Sequence, residues 1–396
     1  MKHLRLLMGF YLMLLSLPAC KNDHPERSAT SSPAVVEEQE LPPREEDYGP
    51  SQFKWGYIDE SGQLVISASF DDGRPFCEGL AAVRVEGRWG YIDKNGAYVI
   101  PLQFQGAWDF SEGLGRVLTY DNKMGFIRKD GSWAIEAKYD DVLDFQEGLA
   151  RVRLDEKYGF IDQQGILAIP SRYDQASSFE NGYAKAKLDG RYGLIDKSGK
   201  LVLPADFKQA APFQDGLARI RKDGLYGFVD EKGQMVIAPQ FDNAQDFNQG
   251  VAPAKKEGRY GLVDKNGAWV VAPKYNQLWY AGESLWGVED QGRYGFIDAQ
   301  GQEVVTPQFE QVYSFENGFA PYRLGRLWGY LDRDGNLLTQ PQYGLAWAFR
   351  EGLARVATRR GIGFINMQGE LAIPPQGNYL DLRDFSEGRA LVEVYR

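Results

Sequence analysis

Asp and Glu, 55 in total, are the abundant side chains of this 396-residue sequence that act as acids or bases near neutral pH. The only histidines are His3 and His24, and the only cysteines are Cys20 and Cys77. Beyond residue 50 the chain therefore has no histidine and a single thiol, which excludes a Ser-His-Asp or Cys-His triad, a His-ligated zinc and a disulfide framework there. We expect no metal and no cofactor.

A pair of carboxylates is the catalytic chemistry that remains open. Glycosidases need two carboxyl groups whose pKa values differ, so that one is protonated while the other is ionised. Asp140, Asp141 and Asp144 lie close together in the sequence, but similar acidic residues return along the whole chain. We therefore expect a non-catalytic protein, and the alternative is an envelope hydrolase that acts on glycan or peptidoglycan.

Basic residues form a second pattern, which we call the basic ladder. In segments such as 149–153, apolar and basic residues alternate, and residues two apart lie on one face of a strand. The ladder consists of Arg116, Arg151, Arg153, Lys185, Lys187, Arg219 and Arg221, with Lys255, Arg323 and Arg355 at matching places. The preferred interpretation pairs these cations with Asp and Glu of adjoining segments, and the alternative makes them a seat for an anionic polymer.

An aromatic cluster near residue 280 is the candidate local binding site. Trp279, Tyr280 and Trp286 stand where other parts of the chain are regular, and Ala281 replaces a recurring Phe. Exposed aromatic residues stack on sugars or anchor peptides, with Glu283 available as a hydrogen-bond acceptor. The preferred interpretation is compensation, in which Trp279 or Tyr280 fills the space that Ala281 leaves.

The composition limits the class of protein that must position these residues. The 45 Lys and Arg against 55 Asp and Glu give a formal net charge of −10, which argues against a nucleic-acid partner, because such proteins collect basic charge. The 45 glycines and an aromatic content of 13% are high for an ordinary enzyme and favour a β-rich array with frequent turns.

A short phrase, an aromatic or apolar residue followed by Gly, divides residues 51–396 into ten repeats. Its copies begin at Trp55, Trp89, Met124, Tyr158, Tyr192, Tyr226, Tyr260, Tyr294, Trp328 and Ile362. Successive copies are 34 residues apart, except for one step of 35. A fixed period of this length is typical of repeat proteins.

Each repeat predicts three β-strands. The first strand, as in 158–162, is apolar on both faces and ends in an Asp-x-x-Gly turn, so we expect it at the centre of the fold. The second strand stops at a proline such as Pro239, and the third is the half-exposed strand of the basic ladder. The third strand should pair with the first two strands of the next repeat.

These strands predict an all-β fold of ten three-stranded units of about 34 residues. An unpaired hairpin is left at the start of the array and an unpaired strand at its end. We prefer an open, superhelical or solenoid-like array, because propellers usually have about 4–8 blades of four strands. The alternative is a closed, propeller-like ring in which these two leftovers pair.

The recurring aromatic-Gly-aromatic-Ile-Asp phrase, the Pro-x-aromatic step and the Glu-Gly-Leu-Ala phrase, in this order, resemble the WG-repeat proteins of bacteria. The resemblance covers roughly residues 52–396. It implies an extracytoplasmic interaction array without known catalysis. We therefore expect a scaffold that binds an envelope protein or glycan.

The first 50 residues predict where in the cell the protein is located. Residues 1–19 have a charged start and an apolar run too short to span a membrane, as in a signal peptide. The run ends in Leu17-Pro18-Ala19-Cys20, which resembles the lipobox of bacterial lipoproteins and implies lipid attachment at Cys20. Residues 20–50 are rich in Pro, Ser and Glu and predict a disordered tether. Lys21 favours the outer membrane, so we expect a lipid-anchored protein of the cell envelope.

Overall fold

The computed structural model describes residues 53–395, and within them every regular element is a β-strand. The predicted signal peptide, Cys20 and the tether lie outside the described residues. Within residues 53–395 the model contains no helix long and apolar enough to cross a membrane.

The strands fall into ten four-stranded antiparallel sheets, which we call blades. The first twenty strands are β1 (Phe53–Ile58), β2 (Leu64–Phe70), β3 (Asp72–Gly73), β4 (Ala81–Val85), β5 (Arg88–Ile92), β6 (Tyr98–Phe104), β7 (Gly106–Ser111), β8 (Leu114–Leu118), β9 (Met124–Ile127), β10 (Trp133–Tyr139), β11 (Asp141–Val142), β12 (Leu149–Leu154), β13 (Lys157–Asp162), β14 (Leu167–Tyr173), β15 (Gln175–Ala176), β16 (Tyr183–Leu188), β17 (Arg191–Asp196), β18 (Leu201–Phe207), β19 (Gln209–Gln214) and β20 (Leu217–Lys222). The remaining strands are β21 (Leu225–Asp230), β22 (Met235–Phe241), β23 (Asn243–Ala244), β24 (Val251–Lys256), β25 (Arg259–Asp264), β26 (Trp269–Tyr275), β27 (Gln277–Gly282), β28 (Leu285–Asp290), β29 (Arg293–Ile297), β30 (Glu303–Phe309), β31 (Gln311–Val312), β32 (Phe319–Leu324), β33 (Leu327–Asp332), β34 (Leu337–Tyr343), β35 (Leu345–Arg350), β36 (Leu353–Thr358), β37 (Gly361–Asn366), β38 (Leu371–Ile373), β39 (Tyr379–Ser386) and β40 (Arg389–Tyr395).

Blade 1 combines β39, β40, β1 and β2, and blades 2 to 10 each take four successive strands, from β3–β6 to β35–β38. Letters A to D denote the order across each sheet, so that blade 2 has β3 as strand A and β6 as strand D. Neighbouring strands are antiparallel, so the A–B and C–D turns lie on one face of the ring, the A–B face. The B–C turns lie on the opposite face, the B–C face.

The ring is closed by the two ends of the described chain. Strand β40 pairs with β1 over six residue pairs, from Phe53 with Tyr395 to Ile58 with Ala390. The all-β array of ten repeats is thus confirmed. The preference for an open array was wrong, and the alternative of a propeller-like ring is the observed one. Closure pairs the two strand edges that an open array would leave exposed.

The units are four-stranded, and the prediction of three strands was incomplete. The missing strand A lies in the connection before the recurring buried Phe. In blade 5 it consists of only Gln175 and Ala176, which pair with Lys187 and Ala186. In five blades strand A has only two residues, too few for a hydrophobic period, so the sequence pattern does not reveal it there.

Strand C has the central place that its two apolar faces predicted. In blade 4, strand β13 pairs with β12 on one side and β14 on the other. A Cβ added to Gly159 would lie 2.6 Å from the carbonyl oxygen of Ile169, so only glycine allows this approach. At the following turn, Asp162 accepts hydrogen bonds from the backbone N–H of Gln164 and Ile166.

The hydrophobic core is divided into layers between neighbouring blades. In one layer, Phe160 of blade 4 meets Phe179 of blade 5 edge to face, with ring centroids 4.8 Å apart. Phe228 and Phe247 repeat this contact between blades 6 and 7 at 4.7 Å. Each blade therefore depends on its neighbours for the burial of its aromatic residues.

The A–B turns link neighbouring blades on the A–B face. In seven of them a carboxylate accepts a hydrogen bond from the glycine N–H of the next A–B turn. The pairs are Glu78 with Gly113, Glu112 with Gly148, Glu147 with Gly182, Asp215 with Gly250, Glu283 with Gly318, Glu351 with Gly388, and Glu387 with Gly79. The last pair joins blades 1 and 2 and so belongs to the closure of the ring. These acidic residues have a structural role.

Candidate functional site

Strands B and C bring the basic ladder against the aromatic residues that begin each repeat. Arg153, Lys187, Arg221 and Lys255 lie directly opposite the tyrosines of blades 4 to 7. These tyrosines are Tyr158, Tyr192, Tyr226 and Tyr260, and we call them the tyrosine arc. All four are half-buried and lie at the B–C face.

Cations cover the rings of the tyrosine arc. The guanidinium of Arg151 lies 4.6 Å from the ring centroid of Tyr158, and Lys187 Nζ lies 5.4 Å from that of Tyr192. Arg221 and Lys255 stand 5.3 Å from the rings of blades 6 and 7. The distances are those of cation–π contacts. The sequence had placed these residues on a common face but had not paired them with the tyrosines.

Three arginines of the ladder tie neighbouring blades together. Each guanidinium donates a hydrogen bond to a backbone carbonyl in strand A of the next blade, at 2.7–2.9 Å. The donors and acceptors are Arg116 and Val142, Arg151 and Ala176, and Arg219 and Ala244. Each also forms a salt bridge. The carboxylates are Asp144 for Arg116, Asp141 for Arg151 and Asp246 for Arg219, at 2.9, 2.6 and 2.9 Å. These arginines are occupied by structural contacts.

The remaining four of the seven residues that make up the ladder carry charge that is not paired in this way. Arg153, Lys185, Lys187 and Arg221 have no carboxylate of residues 53–395 within 4.0 Å of their side-chain nitrogens. All four side chains are half-buried. The ladder therefore contains both structural ties and cations that are open to a partner.

In blade 8, a large and a small residue have exchanged places. Trp286 is 0% exposed and packs in the core layer between blades 7 and 8, in the same cluster as Leu262. In the layer between blades 4 and 5, the corresponding large side chain is Phe179, which packs with Phe160. Ala281 is small at the position of the recurring Phe. Trp286 fills the space, and Tyr280 packs against the same core cluster. The fully buried ring of Trp286 has no face open to a ligand.

The other candidates in blade 8 also make internal contacts. Trp279 lies across Gly287, where an added Cβ would come within 2.2 Å of the indole. Tyr280 meets Trp286 edge to face at 5.4 Å. Glu283 accepts the N–H of Gly318 at 2.8 Å and belongs to the contacts between A–B turns. Trp279 and Tyr280 are half-buried, and a ligand on them stays a prediction.

A cavity of about 350 Å³ opens beside the tyrosine arc. Blade 4 contributes Arg151 and Tyr158. Blade 5 contributes Gln175, Ala176, Ser177, Lys185 and Tyr192. Residues 175–177, which comprise strand A and the residue after it, were missing from the predicted site, because the sequence did not reveal that strand.

The predicted cluster of three carboxylates separates into ion pairs. Asp140 pairs with Lys123 at 2.6 Å, while Asp141 and Asp144 bind ladder arginines. Among residues 53–395 there is no group of three or more side chains suited to hold a metal ion.

Asp109 differs from these carboxylates. Burial raises the pKa of Asp109 to about 6; the nearby charge of Asp144 adds to the shift, and Arg74 and Arg116 oppose it. Its Oδ1 is buried without a hydrogen-bond partner among the described residues. The sequence did not single out this residue, because its burial depends on the neighbouring blades.

Comparisons with solved structures give matches of low identity and low TM-score. A eukaryotic initiation factor has 10% identity and a TM-score of 0.43, with 80% of this chain and 94% of that chain covered. PorZ, an essential bacterial surface component of the type-IX secretion system of Porphyromonas gingivalis, has 10% identity and a TM-score of 0.27, with 81% of this chain and 53% of that chain covered. Likeness at this level says nothing about function. No curated protein matches the chain.

The family model of the WG containing repeat matches ten successive segments. They are residues 55–89, 89–123, 124–158, 158–192, 192–226, 226–260, 260–285, 294–328, 328–358 and 362–395. Each segment begins in strand C of one blade and extends into strand B of the next, which is why the repeat and the blade are offset by two strands. The chain belongs to the WG-repeat family.

Proposed function

We propose that this protein is a lipid-anchored, non-catalytic scaffold of a bacterial cell envelope, and that it binds an anionic envelope glycan on its B–C face. The observation that carries the proposal is the tyrosine arc with its cations, which extends over four successive blades. Repeated units of this kind suit an extended polymer better than a small molecule. Aromatic rings and cations together suit a sugar polymer that carries negative charge.

The binding test reverses charge on the arc and compares it with an equal change on the opposite face. We expect Lys187→Glu with Arg221→Glu to weaken co-sedimentation with polygalacturonate about tenfold or more. The control, Lys200→Glu with Lys232→Glu, alters C–D turns of the same two blades, where both lysines are exposed. It should bind nearly as the wild type does. Equal losses in both variants would contradict a specific role for the B–C face.

The lipid anchor is proposed from the lipobox resemblance that ends at Cys20, and the outer membrane from Lys21. We expect metabolic labelling with a fatty-acid analogue to mark the wild-type protein and not the Cys20→Ser variant. Equal labelling of both proteins would refute the anchor.

A second candidate function, glycan hydrolysis, is favoured by Asp109. Its raised pKa keeps this carboxyl partly protonated near neutral pH, and Asp144, which pairs with Arg116 at 2.9 Å, is the nearby second carboxyl group. Purified protein would be assayed on peptidoglycan, glycans and phosphoesters. Turnover that disappears in Asp109→Asn would establish the hydrolase, and its absence on every substrate would leave the scaffold.

A further inference from the structure

The cavity between blades 4 and 5 lies beside the tyrosine arc and contains positive charge with no carboxylate among its lining residues. Its volume of about 350 Å³ lies in the range of about 300–1,000 Å³ that small-ligand sites occupy. Its lining contains two cations, Arg151 and Lys185, and no carboxylate. We propose that this cavity binds one carboxylate-bearing sugar residue of an acidic polysaccharide, an inference that rests on the proposed function.

The charge in the cavity suits a ligand group with a single negative charge. Arg151 is already neutralised by Asp141 at 2.6 Å. Lys185 has no carboxylate of the described chain within 4.0 Å and is therefore the cation left for a ligand. A dianionic phosphate would leave one negative charge uncompensated in a half-buried site, which is costly.

Polar groups beside Lys185 can orient the ligand. The hydroxyl of Tyr192 donates a hydrogen bond to Gln175 Oε1 at 2.7 Å, which leaves the amide N–H groups of Gln175 as donors. Tyr158 and Tyr192 line the cavity from the two blades, and Arg151 and Lys185 lie 4.6 and 5.5 Å from their ring centroids. A pyranose ring with a carboxylate presents apolar C–H groups for the aromatic rings and oxygen atoms for the donors.

One of the residues that line the cavity, Ser177, is small at a position where other blades have a tryptophan. Ser177 lies two residues before the recurring Phe of its blade. The same position, counted from Ala281 in blade 8, holds Trp108 in blade 3, Trp279 in blade 8 and Trp347 in blade 10. The first and last of these rings lie 4.4 and 4.6 Å from the guanidinium groups of Arg116 and Arg355, which they cover. In blade 5 the same position is Ser177, so no indole covers Lys185, whose Nζ lies 5.5 Å from the ring centroid of Tyr192. Other blades of this ring thus provide a natural plug for the site.

A tryptophan at position 177 is a suitable test substitution, because the fold already contains tryptophan at the same position in blades 3, 8 and 10. Trigalacturonate binding would be measured by calorimetry for the wild type, Ser177→Trp and Lys185→Met. We expect both variants to lose tenfold or more in affinity. The control is Ala211→Trp, which places the same ring at the same position of blade 6 and should bind trigalacturonate as the wild type does. Thermal unfolding of each variant identifies any that has failed to fold. If Ser177→Trp does not fold, Lys185→Met alone tests whether the cavity binds trigalacturonate.

The ligand chemistry is tested with matched probes. The methyl ester of trigalacturonate keeps the sugar rings and loses the charge, so we expect it to bind at least tenfold more weakly. Inorganic phosphate should not compete. Equal binding of the ester, effective competition by phosphate, or equal losses in Ala211→Trp and Ser177→Trp would each overturn the proposal.

Failure of this inference can be distinguished from failure of the proposed function. A wild-type protein that co-sediments with polygalacturonate but does not bind trigalacturonate overturns the cavity alone. A wild-type protein that binds neither overturns the anionic-glycan scaffold as well.

Discussion

Restoring the common pattern in blade 8 should reveal strong coupling between two residues. We consider Trp286→Ala, Ala281→Phe and the double variant. A buried aromatic residue removes about 150–250 Å² from water, which at about 25 cal/mol per Å² gives about 4–6 kcal/mol as an upper bound. Trp286 is 0% exposed, so its truncation alone should lower the free energy of unfolding by about 3–5 kcal/mol.

Ala281→Phe alone adds a ring beside a filled core, and we expect overpacking to cost about 1–3 kcal/mol. In the double variant the new ring enters the space that the indole vacates. The loss should then be smaller than the sum of the single losses by at least about 2 kcal/mol. The physical reason is that both side chains are built to fill one volume between blades 7 and 8.

Guanidinium unfolding followed by circular dichroism measures this cycle, since the removal of a tryptophan alters fluorescence. Two further variants sharpen it. Trp286→Phe should cost less than Trp286→Ala, because both changes remove an indole N–H that is buried without an acceptor among residues 53–395, but the phenyl ring still fills much of the space of the indole. Trp279→Ala removes a half-buried ring and should cost less than Trp286→Ala. Losses that simply add in the double variant would refute the shared volume.

Three other predictions follow from the fold. Gly159→Ala should lower stability by about 1–3 kcal/mol in chemical unfolding because of the 2.6 Å approach to Ile169, whereas Gly377→Ala, with no atom within 4 Å of the new Cβ, should change it by less than about 0.5 kcal/mol. Asp109 has a folded-state pKa of about 6, above its unfolded value, so the free energy of unfolding should rise by its contribution as pH falls from about 7 to about 4.5. Asp109→Asn should remove this part of the pH dependence, and identical plots of unfolding free energy against pH for the two proteins would contradict the prediction. Val392→Pro should break the pairing of β40 with its neighbours and open the ring, which small-angle scattering would register as a larger maximum dimension than that of the wild type.

Part of the candidate site could be read from the sequence. Residues two apart on a strand share a face, so the common face of Arg151 and Arg153 needed no structure. Their different roles could be seen only in the structure. Arg151 donates a hydrogen bond to a carbonyl of the next blade and forms a salt bridge with Asp141, whereas Arg153 has no carboxylate of the described chain within 4.0 Å. The alternation of apolar and basic residues does not distinguish the two arginines. Trp286 likewise looked like a stacking residue until the packing of blades 7 and 8 placed it in the core.

The sequence by itself determined what depends on short-range spacing. The repeat count, the all-β class, the central strand C and the Asp-x-x-Gly turns all follow from residues a few positions apart, whose alternation and turn chemistry are local properties. The exposed fraction of Ser177 and the surroundings of the charge of Lys185 are not local, because they depend on a two-residue strand A that only the neighbouring strand B defines.

Closure of the ring was decided by the tertiary structure alone. Each blade packs on the next at an angle set by the aromatic layer between them, and this angle accumulates over ten blades. Whether β40 meets β1 depends on that total, which the sequence of a single repeat does not express. The same packing places the tyrosines of successive blades along one arc and brings residues of blades 4 and 5 together around the cavity.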